Sequence, residues 1–133
     1  MTYYSALGAT KDAMLLARAI QLFMPGKPQV WYLDLLAGEN DYAAVERAGA
    51  GGHKEINRSN LSSAQVKEAM EKEVVQEQLE LLRLRNSHPA FSSDAEITVK
   101  GDGPLLTIRW QKGEDWIRLN ADLKEKTFTI DQN

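Results

Sequence analysis

Residues 25–36 read PGKPQVWYLDLL, and this stretch is the strongest indication of the fold class. Its two prolines end any helix that precedes them. Behind Pro28, residues 30–33 form a short continuous apolar run of β-prone side chains, which is typical of a strand buried on both faces. Such strands occur in parallel sheets, yet the sequence offers no convincing second strand of this kind. It therefore predicts one strand of an α/β sheet whose other strands lie elsewhere.

The residues on the N-terminal side of this run support the same interpretation. Residues 10–24 read as a helix with Thr10 as its N-cap. Apolar side chains cover almost every side of that helix, interrupted by Arg18 and Gln21. A helix that is apolar all round is normally packed within a larger body.

On the C-terminal side, a short helix is predicted over residues 40–48, followed by the loop GAGGHKEINRSN at 49–60. Glycines free the backbone of this loop, and polar side chains follow them. The loop is either solvent-facing chain or a shaped surface that holds a polar ligand. Ser62 and Gln65 fit a capping box, which opens a long amphipathic helical region ending before Pro89.

The last third of the chain has a different pattern. Residues 96–130 alternate apolar and polar side chains in short segments separated by turn sequences such as GDGP and KGED. This pattern predicts an antiparallel meander. The best boundary lies near residues 91–94. We therefore expect two domains, 1–91 and 92–133, the second a small antiparallel β-sheet domain.

Composition excludes several classes of function. The net charge is −3 with both signs mixed along the 133 residues, so no basic stripe predicts nucleic-acid binding. Cysteine is absent, which removes disulfides and thiolate chemistry. No apolar run has the roughly 20 residues that a membrane span needs, and no secretion signal is visible. The expectation is a cytoplasmic protein without a membrane partner.

Few residues carry a pattern of catalysis or metal binding. The two histidines, His53 and His88, lack metal-ligand spacing, so no metal site is predicted. His53, within the glycine-rich loop, is a weak candidate for ligand binding. Arg58 is a stronger one, because an arginine after a shaped loop can make several directed bonds to hydroxyls, carboxylates or phosphates.

Three carboxylates and three tryptophans allow two interpretations each. Asp34, Glu39 and Asp41 surround the end of the predicted buried strand, where α/β folds bind ligands. They could equally cap a helix or bond a loop. The tryptophans Trp31, Trp110 and Trp116 fit a core better than a sugar platform.

Several separate blocks resemble one known family. They are PGKPQVWYLDLLAGEND at 25–41, INR at 56–58 and LLRLRNSHPAF at 81–91. These blocks are similar to the C-terminal portion of sucrose phosphorylases and their close relatives in the α-amylase family of glycoside hydrolases. The resemblance covers about residues 2–91.

The resemblance implies a fold: the C-terminal part of a (β/α)8 barrel. Residues 10–24 would be its seventh helix, 29–33 its eighth strand, and 62–86 would include its eighth helix. The family's small antiparallel β domain would follow.

The resemblance also implies an activity, retaining glucosyl transfer from an α-glucoside to inorganic phosphate, with no cofactor. Arg58 matches the arginine at the family's sugar site, and Asn57 beside it is a weaker match. The family's catalytic aspartate, glutamate and second aspartate fall upstream of Met1. No catalytic residue is therefore assigned, and we expect this chain alone to be inactive.

The sequence departs from the family beside this motif. The usual INRHYY reads INRSNL, which replaces a histidine and two aromatic residues at Ser59, Asn60 and Leu61. The acceptor sugar therefore stays open among sucrose, sucrose 6-phosphate, glucosylglycerol and glucosylglycerate.

Two further hypotheses compete with this one. The chain could be an autonomous, non-catalytic module that associates with itself, or it could bind a sugar through Arg58 without catalysis. Because a buried-type strand and an apolar helix must be covered, we expect the isolated chain to form a homo-oligomer.

Overall fold

The predicted meander is confirmed. A computed structural model describes residues 1–133, and its single sheet has four antiparallel strands in the order β1-β2-β3-β4. The strands are β1 (Glu96–Asp102), β2 (Leu105–Lys112), β3 (Asp115–Asp122) and β4 (Thr127–Gln132). Gly103 and Gly113 have positive φ in the first two turns, where glycine avoids steric cost. In the third turn, the Asp122 carboxylate accepts the backbone N–H groups of Lys124 and Glu125, both at 3.0 Å.

One face of the sheet packs in the hydrophobic core. Ile108 lies opposite Leu119, and Trp110 lies opposite Ile117, with at most 3% of each side chain exposed. Helical residues Leu16, Ala19 and Phe23 complete this cluster. The alternation in the sequence therefore matches the pleat: the buried apolar side chains point to one face, and most side chains on the other face are polar.

An aromatic group closes the core at one end of the sheet. The Trp110 indole N–H donates to the Phe23 carbonyl at 2.7 Å. The Phe91 ring meets both the Phe23 and Trp110 rings edge-on, with centroids 5.1 and 5.2 Å away. The Arg85 guanidinium lies 4.5 Å from the Phe91 and Trp110 ring centroids, and its burial lowers the pKa of Arg85. This places LLRLRNSHPAF against the sheet.

The remaining elements are helices. They are α1 (Tyr3–Ala6), α2 (Lys11–Phe23), α3 (Tyr32–Leu35), α4 (Tyr42–Ala48), a 3₁₀ helix (Gly52–Asn57), α5 (Ser63–Met70) and α6 (Glu73–Ser87). The helices predicted before Pro25 and after Asn40 are confirmed, as is the capping box of Ser62 and Gln65. The region predicted as one long helix is two, because α5 ends at Met70, with Glu71 as its C-cap, and α6 begins at Glu73.

The strand predicted at residues 29–33 is wrong for this chain. Trp31 has extended backbone angles, φ −74° and ψ 138°, but the chain turns into α3 at Tyr32. The structure contains no barrel and no parallel strand. A strand requires a hydrogen-bonding neighbour, and these 133 residues supply none there.

The chain divides into two compact units, with boundaries inside α2, between Pro28 and Gln29, and inside α6. The first comprises Met1–Met14 and Gln29–Gln78, and the second comprises Leu15–Pro28 and Leu79–Asn133. The sheet and its core belong to the second unit, and the glycine-rich loop belongs to the first. None of the helices combines the length and the apolar character needed to cross a membrane.

We expect Trp110→Phe to lower the free energy of unfolding by about 1–3 kcal/mol. The change removes the N–H that satisfies the buried Phe23 carbonyl and leaves a small void. Urea denaturation followed by circular dichroism measures it. Trp116→Phe, on the opposite face of the sheet, is the matched control and should cost less. Equal losses for the two variants would contradict the assigned role of Trp110.

Candidate functional site

The glycine-rich loop folds back against α4. Gly49 and Gly51 adopt positive φ, and Gly51 leads into the 3₁₀ helix. A Cβ added at Gly52 would lie 2.5 Å from the Ala48 Cβ and 2.9 Å from the Val45 carbonyl oxygen. Only glycine allows this close approach, so the 3₁₀ helix packs directly on α4.

Two aromatic side chains hold the backbone around Arg58. The Trp31 indole N–H donates to the Asn57 carbonyl at 3.0 Å, and the Tyr32 hydroxyl donates to the Ser59 carbonyl at 2.7 Å. Both rings are otherwise exposed, at 48% and 41%. This role of Trp31 differs from the core position that its sequence context predicts. The pairing of a loop with a segment 26 residues away leaves no local signal.

Asp41 secures the same loop from the other side. Its carboxylate caps α4 by accepting the Ala44 N–H at 2.9 Å and receives the Ser59 hydroxyl at 3.4 Å. Its own backbone N–H donates to the Ile56 carbonyl at 2.9 Å. Asp41 is therefore a structural cap, one of the two interpretations left open by its position.

Arg58 follows the 3₁₀ helix, and its side chain is half exposed. Its Nη1 lies 3.6 Å from Glu55 Oε1, beyond the 2.7–2.9 Å of a close charge-assisted hydrogen bond. The side chain lines an open cavity of about 370 Å³. The other lining residues are Asp41, Ala44, Arg47, Ala48, Glu55 and Asn60. Asn60, at one of the positions where the sequence departs from the family motif, therefore faces the same space as Arg58.

The other predicted residues have different positions. Asn57 meets Trp31 through its backbone carbonyl, and His53 is exposed on the 3₁₀ helix but does not line the cavity. Asp34 accepts the backbone N–H of Tyr3, the first residue of α1, at 2.8 Å. His88 accepts the Ala90 N–H at 3.1 Å after α6. The structure thus brings together Arg58 and Asp41 but not His53.

The chain is similar to several known proteins. No protein-family model matches the chain. It is 54% identical over 129 residues to a sucrose 6(F)-phosphate phosphorylase of Ilumatobacter coccineus, covering 97% of this chain and 24% of that protein. It is 37% identical to a sucrose phosphorylase of Agrobacterium vitis and to a glucosylglycerol phosphorylase of Marinobacter adhaerens, covering 26% of each.

The fold matches as well. Against the crystal structure of sucrose 6F-phosphate phosphorylase from Thermoanaerobacter thermosaccharolyticum, the TM-score is 0.90 at 43% identity. That match covers 98% of this chain and 26% of the other.

The relatives define a class, the glycoside phosphorylases. Within this class, the chain corresponds to the C-terminal portion of a sucrose phosphorylase-like protein, so the resemblance seen in its motifs is confirmed. The chain spans about a quarter of the length of the curated relatives it matches.

Removing either anchoring hydrogen bond should loosen the loop without unfolding the chain. Trp31→Phe and Tyr32→Phe each delete one donor to a loop carbonyl, so the amides of residues 56–60 should exchange with solvent about 2–10-fold faster. Hydrogen exchange measured by NMR tests this. Tyr42→Phe is the matched control, since that hydroxyl bonds Asn40 and not the loop. Unchanged exchange in both test variants would mean that the loop is held by other contacts.

Proposed function

We propose that this chain is the C-terminal part of a retaining glucosyl transferase that cleaves a sucrose-type α-glucoside with inorganic phosphate and releases glucose 1-phosphate. The observation that supports it best is the presentation of Arg58. The backbone on both sides of that residue is anchored, whereas the guanidinium is half exposed and only loosely paired with Glu55. A ligand-binding arginine requires a backbone that is held in place and a guanidinium that is free to contact the ligand.

In this proposal Arg58 binds and orients, and other groups catalyse. Its planar guanidinium can make several directed bonds to a phosphate or to sugar hydroxyls. Retaining transfer needs two carboxylates about 5 Å apart, one as nucleophile and one as acid and base. Those groups would come from the larger part of the protein that precedes the matched region, so these 133 residues alone would not catalyse the reaction.

We also propose that the chain contributes to two domains of the larger protein. Residues 1–91 would complete a (β/α)8 barrel with their helices, and residues 92–133 would form the small C-terminal β domain. The extended backbone at Trp31 supports this, because residues 29–31 could then pair with the strands of a barrel as its eighth strand. The glycine-rich loop would lie at the C-terminal end of that strand, the face on which barrel enzymes bind their substrates.

For the substrate we propose sucrose 6F-phosphate. The chain is 54% and 46% identical to two phosphorylases named for that sugar, but 37% identical to ones named for sucrose and glucosylglycerol. Ser59 and Asn60 also stand where the family motif has histidine and an aromatic residue. A smaller residue at position 60 leaves more room in the cavity beside Arg58.

A chimera tests this function with the chain as it stands. The 133 residues replace the matching quarter of the Ilumatobacter coccineus enzyme, and release of glucose 1-phosphate is assayed with sucrose 6F-phosphate, sucrose and glucosylglycerol. We expect activity, highest on the phosphorylated sugar. Arg58→Ala should lower kcat/KM about 100-fold, because several charged hydrogen bonds are lost.

Arg47→Ala is the matched control for the chimera. Arg47 lines the same cavity and carries the same charge, but its side chain is 70% exposed and lies 4.0 Å from Asp41. We expect it to change kcat/KM by less than about threefold. A folded chimera without activity would contradict the proposed function. Equal losses for the two arginines would contradict the role of Arg58 alone.

A second candidate is a non-catalytic module that associates with itself. It is supported by exposed aromatic side chains in the first unit, among them Trp31 at 48% and Tyr42 at 63%. Soluble monomers rarely leave large apolar patches uncovered. We expect light scattering of the isolated chain to show a mass that rises from one to two copies or more with concentration. A monomer at all concentrations would exclude this module and the proposed homo-oligomer.

A further inference from the structure

The second unit has a polar surface that the proposed function does not use. It is the face of the meander opposite the core, and we call it the outer face. The residues that matter there are Arg109, Gln111, Trp116, Arg118, Asn120 and Asp131. They come from three neighbouring strands, so the register of the sheet fixes their spacing.

Two arginines on the outer face oppose each other directly. Arg109 of β2 is the cross-strand partner of Arg118 of β3. Like charges at directly opposite positions destabilise a sheet, so the pair calls for counter-ions. The chain supplies one: Asp131 of β4 accepts a hydrogen bond from Arg118 Nη2 at 2.7 Å.

That carboxylate is already committed. The same oxygen of Asp131 accepts the Asn120 amide at 3.0 Å, and these two hydrogen bonds lower the pKa of Asp131, with that from Arg118 as the larger cause. The Arg118–Asp131 bond is short, in contrast to the loose ion pairs around the glycine-rich loop. Asp131 therefore neutralises Arg118 and leaves Arg109 without a counter-ion.

Arg109 is held in place by an indole ring. Its guanidinium carbon lies 4.9 Å from the Trp116 ring centroid, and that of Arg118 lies 5.8 Å away. The Arg109 Nε is buried without a hydrogen-bond partner, and the side chain forms no ion pair. Its terminal nitrogens are thus the donors available to a partner, on a cation that is already ordered.

We propose that the outer face is a docking surface for an acidic segment of a partner protein. A carboxylate of that segment pairs with Arg109 as Asp131 pairs with Arg118, and its neighbouring apolar side chain covers Trp116. Tryptophan and arginine are the residues most enriched in the energetic centres of protein interfaces. Glu96 and Asp131 lie on the same face at its two edges, so the carboxylate of the segment docks at the centre of the face, over Arg109.

The probe is a fluorescently labelled synthetic peptide of glutamates around one phenylalanine, titrated with the full chain and followed by anisotropy. We expect saturable binding that weakens with salt. Arg109→Gln should weaken binding about tenfold or more, and Arg109→Lys should weaken it less because the charge remains. Circular dichroism checks that each variant is folded.

Lys124→Gln is the matched control, because it removes the same charge from an exposed turn of the same sheet. It should leave the affinity within about twofold. The proposal is overturned if the peptide does not bind, if Lys124→Gln weakens binding as much as Arg109→Gln, or if a labelled DNA oligonucleotide binds more tightly than the peptide.

Discussion

The hydrogen bonds that Trp31 and Tyr32 donate to the carbonyls of Asn57 and Ser59 fix the backbone on both sides of Arg58. The glycine-rich loop depends on them, because a loop of this composition would otherwise be free to adopt many conformations. The cap formed by Asp41 and the tight contact of Gly52 with α4 add to the same restraint. As a result, the backbone at Arg58 is fixed and its guanidinium is available to bind a ligand.

Much of the fold could be predicted because its signals are local. The meander follows from alternation and from turns that contain glycine, and the capping box needs only Ser62 and Gln65. The strand predicted at residues 29–33 shows the limit of such signals. An apolar run reports that its side chains prefer burial, but it does not report whether a neighbouring strand is present to accept its hydrogen bonds. In this chain Trp31 has extended backbone angles and α3 begins at the next residue.

The candidate site was predictable in part. Arg58 could be identified from the INR motif and from its position after the glycines, whereas its anchors could not. Trp31 looked like a core residue, and its indole N–H finds a carbonyl far along the chain. Arg47 lines the cavity because α4 packs against the 3₁₀ helix, and the sequence does not reveal that contact. The same holds for Arg109 and Arg118, because their opposition depends on the register of two strands.

We propose that the loop around Arg58 forms one side of a sugar site that a larger protein completes. The most direct test is a calorimetric titration of glucose 1-phosphate into the isolated chain. We expect no saturable heat, because Arg58 alone offers too few contacts to offset the loss of ligand freedom. Saturable binding that disappears in Arg58→Ala would contradict it, and would mean that the 133 residues hold a complete sugar site.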